Sequence, residues 1–171
     1  MKITIVEAKS EAHFAQFAEI IAEYLIWLRL RYQDQKWMID QVATAQSLDD
    51  ELNDLSSRYS MPFGVAFVAE VDDALAGAGA WRRQANGICE MKRVFIRDAF
   101  KGLGAGRKLC EAIMQSAREH GYTLMRLDTG KRMTEAQDLY RKLGFSSCQP
   151  YQDYPPNILV NMEFMQASLQ N

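Results

Sequence analysis

Histidine is scarce in this chain. His13 and His120 are the only two in 171 residues, they lie far apart, and no Cys-x-x-Cys pair accompanies them. Structural zinc sites draw on those residue types at close spacing, so no metal site is expected. The three cysteines, Cys89, Cys110 and Cys148, are odd in number and widely separated, and the first two each follow an apolar residue. That pattern reads as packed, reduced thiols in a cytoplasmic protein rather than a disulfide framework. No apolar run approaches the roughly 20 residues that cross a bilayer. The run in "MKITIVEAKSEAHF" is also too short for a signal-peptide core, so no membrane partner is expected. Neither sign of charge dominates, with 20 Lys and Arg against 22 Asp and Glu and a net charge of -2. A nucleic-acid partner would want a basic field that this balance does not supply.

The 48% apolar and 25% charged composition is that of a soluble globular protein. With no repeat, low-complexity tract or linker, residues 1–171 read as one domain. "ITIV" is a short strand. From about Ser10, apolar residues at Phe14, Phe17, Ile20, Ile21, Tyr24, Leu25 and Leu28 recur at helical spacing. "YQDQKWMIDQVATAQS" has no clear period. "SLDDELNDLSSRY" reads as a second helix, with Ser47 as N-cap and acids in its first turn. "MPFGVAFVAEVDDALAGAGAWRR" reads as a hairpin turning at Asp72 and Asp73. "GICEMKRVFIR" follows as a central strand, then a helix over about 104–120 stopped by Gly121. "YTLMRLDT" is a strand after that helix, and such a crossover implies parallel pairing. "TEAQDLYRKLG" predicts a helix with Thr134 as N-cap and Gln137 at the capping-box spacing. "FSSCQPY" and "NILVNMEFM" predict two final strands.

"FKGLGAGRKL" places Gly102, Gly104 and Gly106 at a helix entrance, where glycine is a poor helix former. Two readings stand: a flexible turn, or a cradle where a phosphate approaches bare backbone N–H groups at a helix N-terminus. The Rossmann spacing fails, because its third glycine falls on Arg107 or Leu109. A Walker loop fails as well, for want of a Gly-Lys-Ser/Thr triplet.

"VFIRDAFKGLGAGRKLCEAI" resembles the pyrophosphate-binding segment of the GNAT-type N-acetyltransferases. Their motif, Arg/Gln-x-x-Gly-x-Gly/Ala after a central strand, falls here on Lys101, Gly104 and Gly106, with lysine at the first position. "MTEAQDLYRKLGF" (133–145) resembles the family's late helix, Ala-x-x-Leu-Tyr-x-x-x-Gly-Phe. Met133 replaces a frequent asparagine, so the pantetheine contact made there is not carried over. Further segments bring the resemblance to most of residues 20–164.

The resemblance implies a mixed α/β fold. Its central, mostly antiparallel sheet would have about six to seven strands, a splayed parallel pair in the middle and helices on both faces. It also implies acetyl-CoA as acyl donor. Lys101, Gly102, Leu103, Gly104, Ala105, Gly106 and Arg107 would cradle the pyrophosphate, and Val94, Phe95 and Ile96 would pair with pantetheine. A backbone N–H near Phe95 or Ile96 would serve the oxyanion. Tyr140 matches the family tyrosine that protonates the departing thiolate; by residue type alone it reads as a core tyrosine, and the motif position favours the acid. Glu90 stands at the start of the central strand, and alternation places it on one face with Lys92, Val94 and Ile96. It reads either as the base for an amine of pKa ~10.4 or as an ion-pair partner of Arg82, Arg83 or Lys92. The expected acceptor is a small-molecule or peptide amine, between walls drawn from Trp27, Tyr32, Trp37, Tyr59, Trp81, Tyr151 and Tyr154. A monomer or homodimer is expected. A non-catalytic acyl-CoA-binding module is the alternative.

Overall fold

The computed structural model describes residues 1–170. Strand β1 (Ile3–Glu7) leads into α1 (Glu11–Arg31), whose entrance Ser10 caps by accepting the His13 amide at 3.2 Å. Phe17, Ile20 and Ile21 form the helix's fully buried stripe. Three short helices follow: α2 (Lys36–Ala45), α3 (Leu48–Leu52) and α4 (Leu55–Arg58). The single helix expected over "SLDDELNDLSSRY" is therefore broken. Asn53 and Asp54 interrupt it, residue types whose side chains compete for the backbone. Ser47 is not a side-chain cap either; it sits at φ 52 and makes no cap hydrogen bond.

Strands β2 (Gly64–Val71) and β3 (Ala74–Ala85) form the expected hairpin. Asp72 and Asp73 both take positive φ, 49° and 64°, as a two-residue type I′ turn requires. Strand β4 (Ile88–Ile96) is fourth of seven in the order β1-β2-β3-β4-β5-β7-β6, where β5 is Leu124–Gly130, β6 Ser146–Ser147 and β7 Met162–Ser168. Every pairing is antiparallel except β4 with β5. That parallel pair holds register only from Ile88↔Leu124 to Glu90↔Arg126 and then parts.

Helix α5 (Ala105–Glu119) packs Leu109, Ile113 and Ala117 on one sheet face, and α1 covers the other. Helix α6 (Thr134–Lys142) starts from Met133, not from a Thr134 cap. Gln137 leaves the capping-box role and donates to the Gly130 and Lys131 carbonyls at 3.0 and 3.2 Å. "NILVNMEFM" is not strand throughout, because the Pro155-Pro156 step starts a single turn, α7 (Pro156–Leu159), before β7. No described helix is long and apolar enough to cross a membrane.

Within β4 the expected alternation breaks. Glu90 and Lys92 do share a face, but Val94 and Ile96 lie on the opposite one, with α5. The cause is a bulge at Arg93, which takes φ 59 as the pairing with β3 shifts between Ala78 and Ala80. One extra residue exchanges the faces of everything after it. Phe95 is thereby turned toward α1.

Candidate active site

After β4 the chain makes a 3-10 turn (Asp98–Phe100) and enters the glycines. Gly102 and Gly104 take φ +79 and +89, and a Cβ at either would meet nothing within 4 Å. The left-handed backbone demands glycine here, and the space above it is open. The first hydrogen bond into α5 runs from the Lys108 amide to the Gly104 carbonyl at 3.1 Å. None of the six amides from Gly102 to Arg107 donates to any described residue. Six free donors at the positive end of a 15-residue helix match a pyrophosphate in charge and in hydrogen-bonding type.

A cleft of about 470 Å³ runs from this turn along β4. Val94, Phe95, Ile96, Lys101, Gly102, Gly104, Gly106 and Arg107 line it; of the residues assigned to the donor, only Leu103 and Ala105 stand outside. Leu103 is exposed and Ala105 fully buried. Tyr24 of α1 stacks on Phe95 with ring centroids 5.1 Å apart. Lys101 lies 4.2 Å over the Trp27 ring and 2.5 Å from Asp98, so its side chain is committed to the cleft wall. Beyond Glu90 the edge of β4 that faces this opening has no strand partner. Its amides are what a pantetheine arm or a developing oxyanion needs.

A second, smaller cavity of about 110 Å³ lies between α1, α2, β4 and β5. Tyr24, Val94 and Tyr140 line both spaces. Tyr140 is buried at their junction, and its hydroxyl has no hydrogen-bond partner among the described residues. Burial holds this phenol well above its usual pKa, so it stays protonated and able to donate.

Glu90 is 1% exposed, lies 3.1 Å from Lys92 and 3.3 Å from Arg82, and accepts from Gln152 at 3.0 Å. Burial works to raise its pKa, but the Lys92 and Arg82 charges outweigh it and leave the carboxyl below its usual value. The ion-pair partners expected from sequence are thus present for two of the three named.

The aromatic candidates disperse. Tyr32 lines the smaller cavity and Trp27 the larger cleft. Tyr154 donates to Asp128, while Trp81 lies across the sheet and donates to Ser116. Tyr59 is buried against Glu51, and Trp37 is exposed. Cys89 and Cys110 are buried thiols that burial pushes up to about 12, unsuited to nucleophilic attack.

Sequence reasoning passed over Tyr24, Arg93, Glu51 and Asp128. Only Asp128 leaves a local trace, as an acid inside the apolar alternation of β5.

The acetyltransferase (GNAT) family model matches residues 21–145. An uncharacterised N-acetyltransferase of Schizosaccharomyces pombe is 32% identical over 160 residues, covering 92% of this chain and 91% of that one. An IAA acetyltransferase of Azospirillum brasilense is 34% identical over 93 residues, covering 54% of this chain and 61% of that one. Among solved structures, the PaiA N-acetyltransferase of Thermoplasma acidophilum in complex with coenzyme A superposes with a TM-score of 0.74. It is 17% identical and covers 98% of this chain and 99% of that one. A GNAT-family acetyltransferase of Staphylococcus aureus has the same TM-score at 18% identity, covering 99% of this chain and 100% of that one.

Proposed function

Because this chain belongs to the GNAT acetyltransferase family, we propose that it moves an acetyl group from acetyl-CoA directly to the amine of a small molecule or peptide. The observation that carries this reading is the run of six undonated amides, Gly102 to Arg107, opening on a cleft that meets a second cavity at Tyr140. Those amides would hold the pyrophosphate, and the free edge of β4 at Val94–Ile96 would pair with the pantetheine arm. Bound acetyl-CoA supplies a thioester whose thiol, with a pKa near ~8.5 by analogy with cysteine, departs readily.

Tyr140 then supplies a proton to the sulfur. Its placement at the junction also speaks against a module that only senses the donor, since a sensor needs neither a second cavity nor a phenol between the two. The inert cysteines support direct transfer over a covalent acyl-enzyme. Being unpaired and mostly buried, they also support a cytoplasmic setting.

Gly104→Val should lower acetyl-CoA affinity by about 10-fold or more, since its side chain enters the open space over the amides and a β-branched residue at φ +89 strains the turn that presents them. Gly106→Ala is the control, because its Cβ would stand at ordinary contact, 3.5 Å from Ile96 and 3.7 Å from Leu139. Calorimetry on the two folded variants checks this. Equal affinities in both would remove the cradle assignment.

A further inference from the structure

Charge bookkeeping in the smaller cavity points to its ligand. Both of its cations are already engaged. Lys92 pairs with Glu90 at 3.1 Å. Arg93 grips Glu51 through Nε at 3.0 Å and Nη2 at 2.7 Å, and gives Nη1 to the Gln46 amide oxygen at 2.8 Å. Asp128 is different. The Tyr154 hydroxyl donates to its Oδ2 at 2.8 Å, and Oδ1 has no partner among the described residues. No described cation forms an ion pair with this carboxylate. Glu90 is shared between Lys92 and Arg82, so Asp128 is the one charged group lining the cavity that has no ion pair among the described residues.

Leu28, Met38, Ile39, Val42 and Met162 supply an apolar stretch of the wall, beside Tyr32, Gln46 and Thr129. At about 110 Å³ the space suits a small ligand. A ligand carboxylate would have to displace Glu51 from Arg93, compete with Glu90 for Lys92, or be buried unpaired beside the like charge of Asp128.

We propose that this cavity takes a small primary amine with an apolar body and no carboxylate, its nitrogen seated on Asp128, which anchors the ammonium and receives its proton. This deepens the acetyl-transfer reading and rests on it. Asp128 takes one proton from the ammonium and sheds it to water. The neutral nitrogen forms the N–C bond as the C–S bond breaks, Tyr140 gives its proton to the sulfur, and the surplus proton on nitrogen returns to Tyr140 through Asp128 or water. No co-reactant is needed.

Asp128 is faced by Lys92, Glu90 and Arg93 from β4, Tyr151 and Tyr154 from the segment before α7, Tyr24 from α1 and Tyr140 from α6. Burial raises its pKa, which narrows the gap to an alkylamine. The competent carboxylate forms above that raised value, so the rate should fall as pH drops through it.

The test uses the full chain and a matched pair, isoamylamine and leucine, which share a body and differ by the carboxylate. Thiol release with acetyl-CoA should give isoamylamine a kcat/KM roughly 100-fold above that of leucine. Calorimetry should show isoamylamine binding that Asp128→Asn weakens about 10-fold or more, and that variant should lose the acid limb of the rate profile. Asp128→Glu should restore part of both. Glu90→Gln should keep the limb but move it to lower pH, since losing the Glu90 charge and freeing Lys92 both favour the Asp128 carboxylate.

Leucine turned over as well as isoamylamine would overturn the proposal. So would an acid limb that persists in Asp128→Asn and vanishes in Glu90→Gln. A protein that binds acetyl-CoA yet acetylates neither compound refutes the acceptor class alone, whereas failure to bind acetyl-CoA refutes the underlying transfer reading.

Discussion

Tyr140→Phe should lower kcat by about 100-fold while leaving acetyl-CoA affinity nearly unchanged. The change removes one oxygen from a ring packed against Phe145, with centroids 5.8 Å apart, so the packing survives. The hydroxyl has no partner among the described residues, and its loss strands no buried group. What disappears is the hydroxyl at the junction of the two cavities, the proposed proton donor. Positioned donors are worth roughly 10²–10⁴-fold, and an already acidic leaving thiol places the effect at the low end. Because burial raises the phenol well above 10, the wild-type enzyme should show no alkaline loss of rate from this group below pH ~10. Steady-state kinetics with any accepted amine, beside calorimetry with acetyl-CoA, checks both parts. Wild-type kcat in the folded variant would return Tyr140 to a packing role.

Glu51→Gln should cost about 3–5 kcal/mol of stability, the usual result of leaving one buried partner charged and alone. For a chain of this size that is a fall in Tm of about 6–20 °C. Glu51 is 0% exposed, holds Arg93 through both its oxygens and accepts from Tyr59 at 2.5 Å. Burial works to raise its pKa, but the Arg93 hydrogen bonds and charge, with Tyr59 and Lys92, bring it down to about 2. A depressed carboxylate stabilises the fold above its unfolded value of about 4.3. That contribution should be lost as pH falls from there through about 2. The variant should therefore show a flatter acid-unfolding profile over that window. Replacing both partners, Glu51→Leu with Arg93→Met, should recover much of the loss, since no charge is then left unpaired. Thermal melts of the single and double variants measure the coupling. A double variant no more stable than Glu51→Gln would show that the pair does more than cancel its own burial.

How much of this was legible in the sequence follows from the range of the forces involved. Helix α1 with its Ser10 entrance, the Asp72-Asp73 hairpin, the glycine turn before α5 and the stop at Gly121 depend on a few adjacent residues. Periodicity and turn chemistry therefore carry them. The two motifs around Gly104 and Tyr140 are local in the same sense, and both contribute residues to the larger cleft. Where local signals competed, the sequence misled: Asn53 and Asp54 broke a helix, and Gln137 left its capping box for the Gly130 carbonyl.

Other features had no local cause. The bulge at Arg93 is bound up with a guanidinium that finds Glu51 42 residues away. It turned Val94 and Ile96 to the face opposite Glu90. Asp128 meets Tyr154 26 residues on and shares a cavity with Tyr140 because β5 leaves β4 after three register pairs. The sequence by itself determined most of the elements and the glycine turn, because neighbouring residues settle φ, ψ and capping. Only the tertiary structure decided which buried charges neutralise one another, because that depends on which distant segments the sheet brings within a few ångströms.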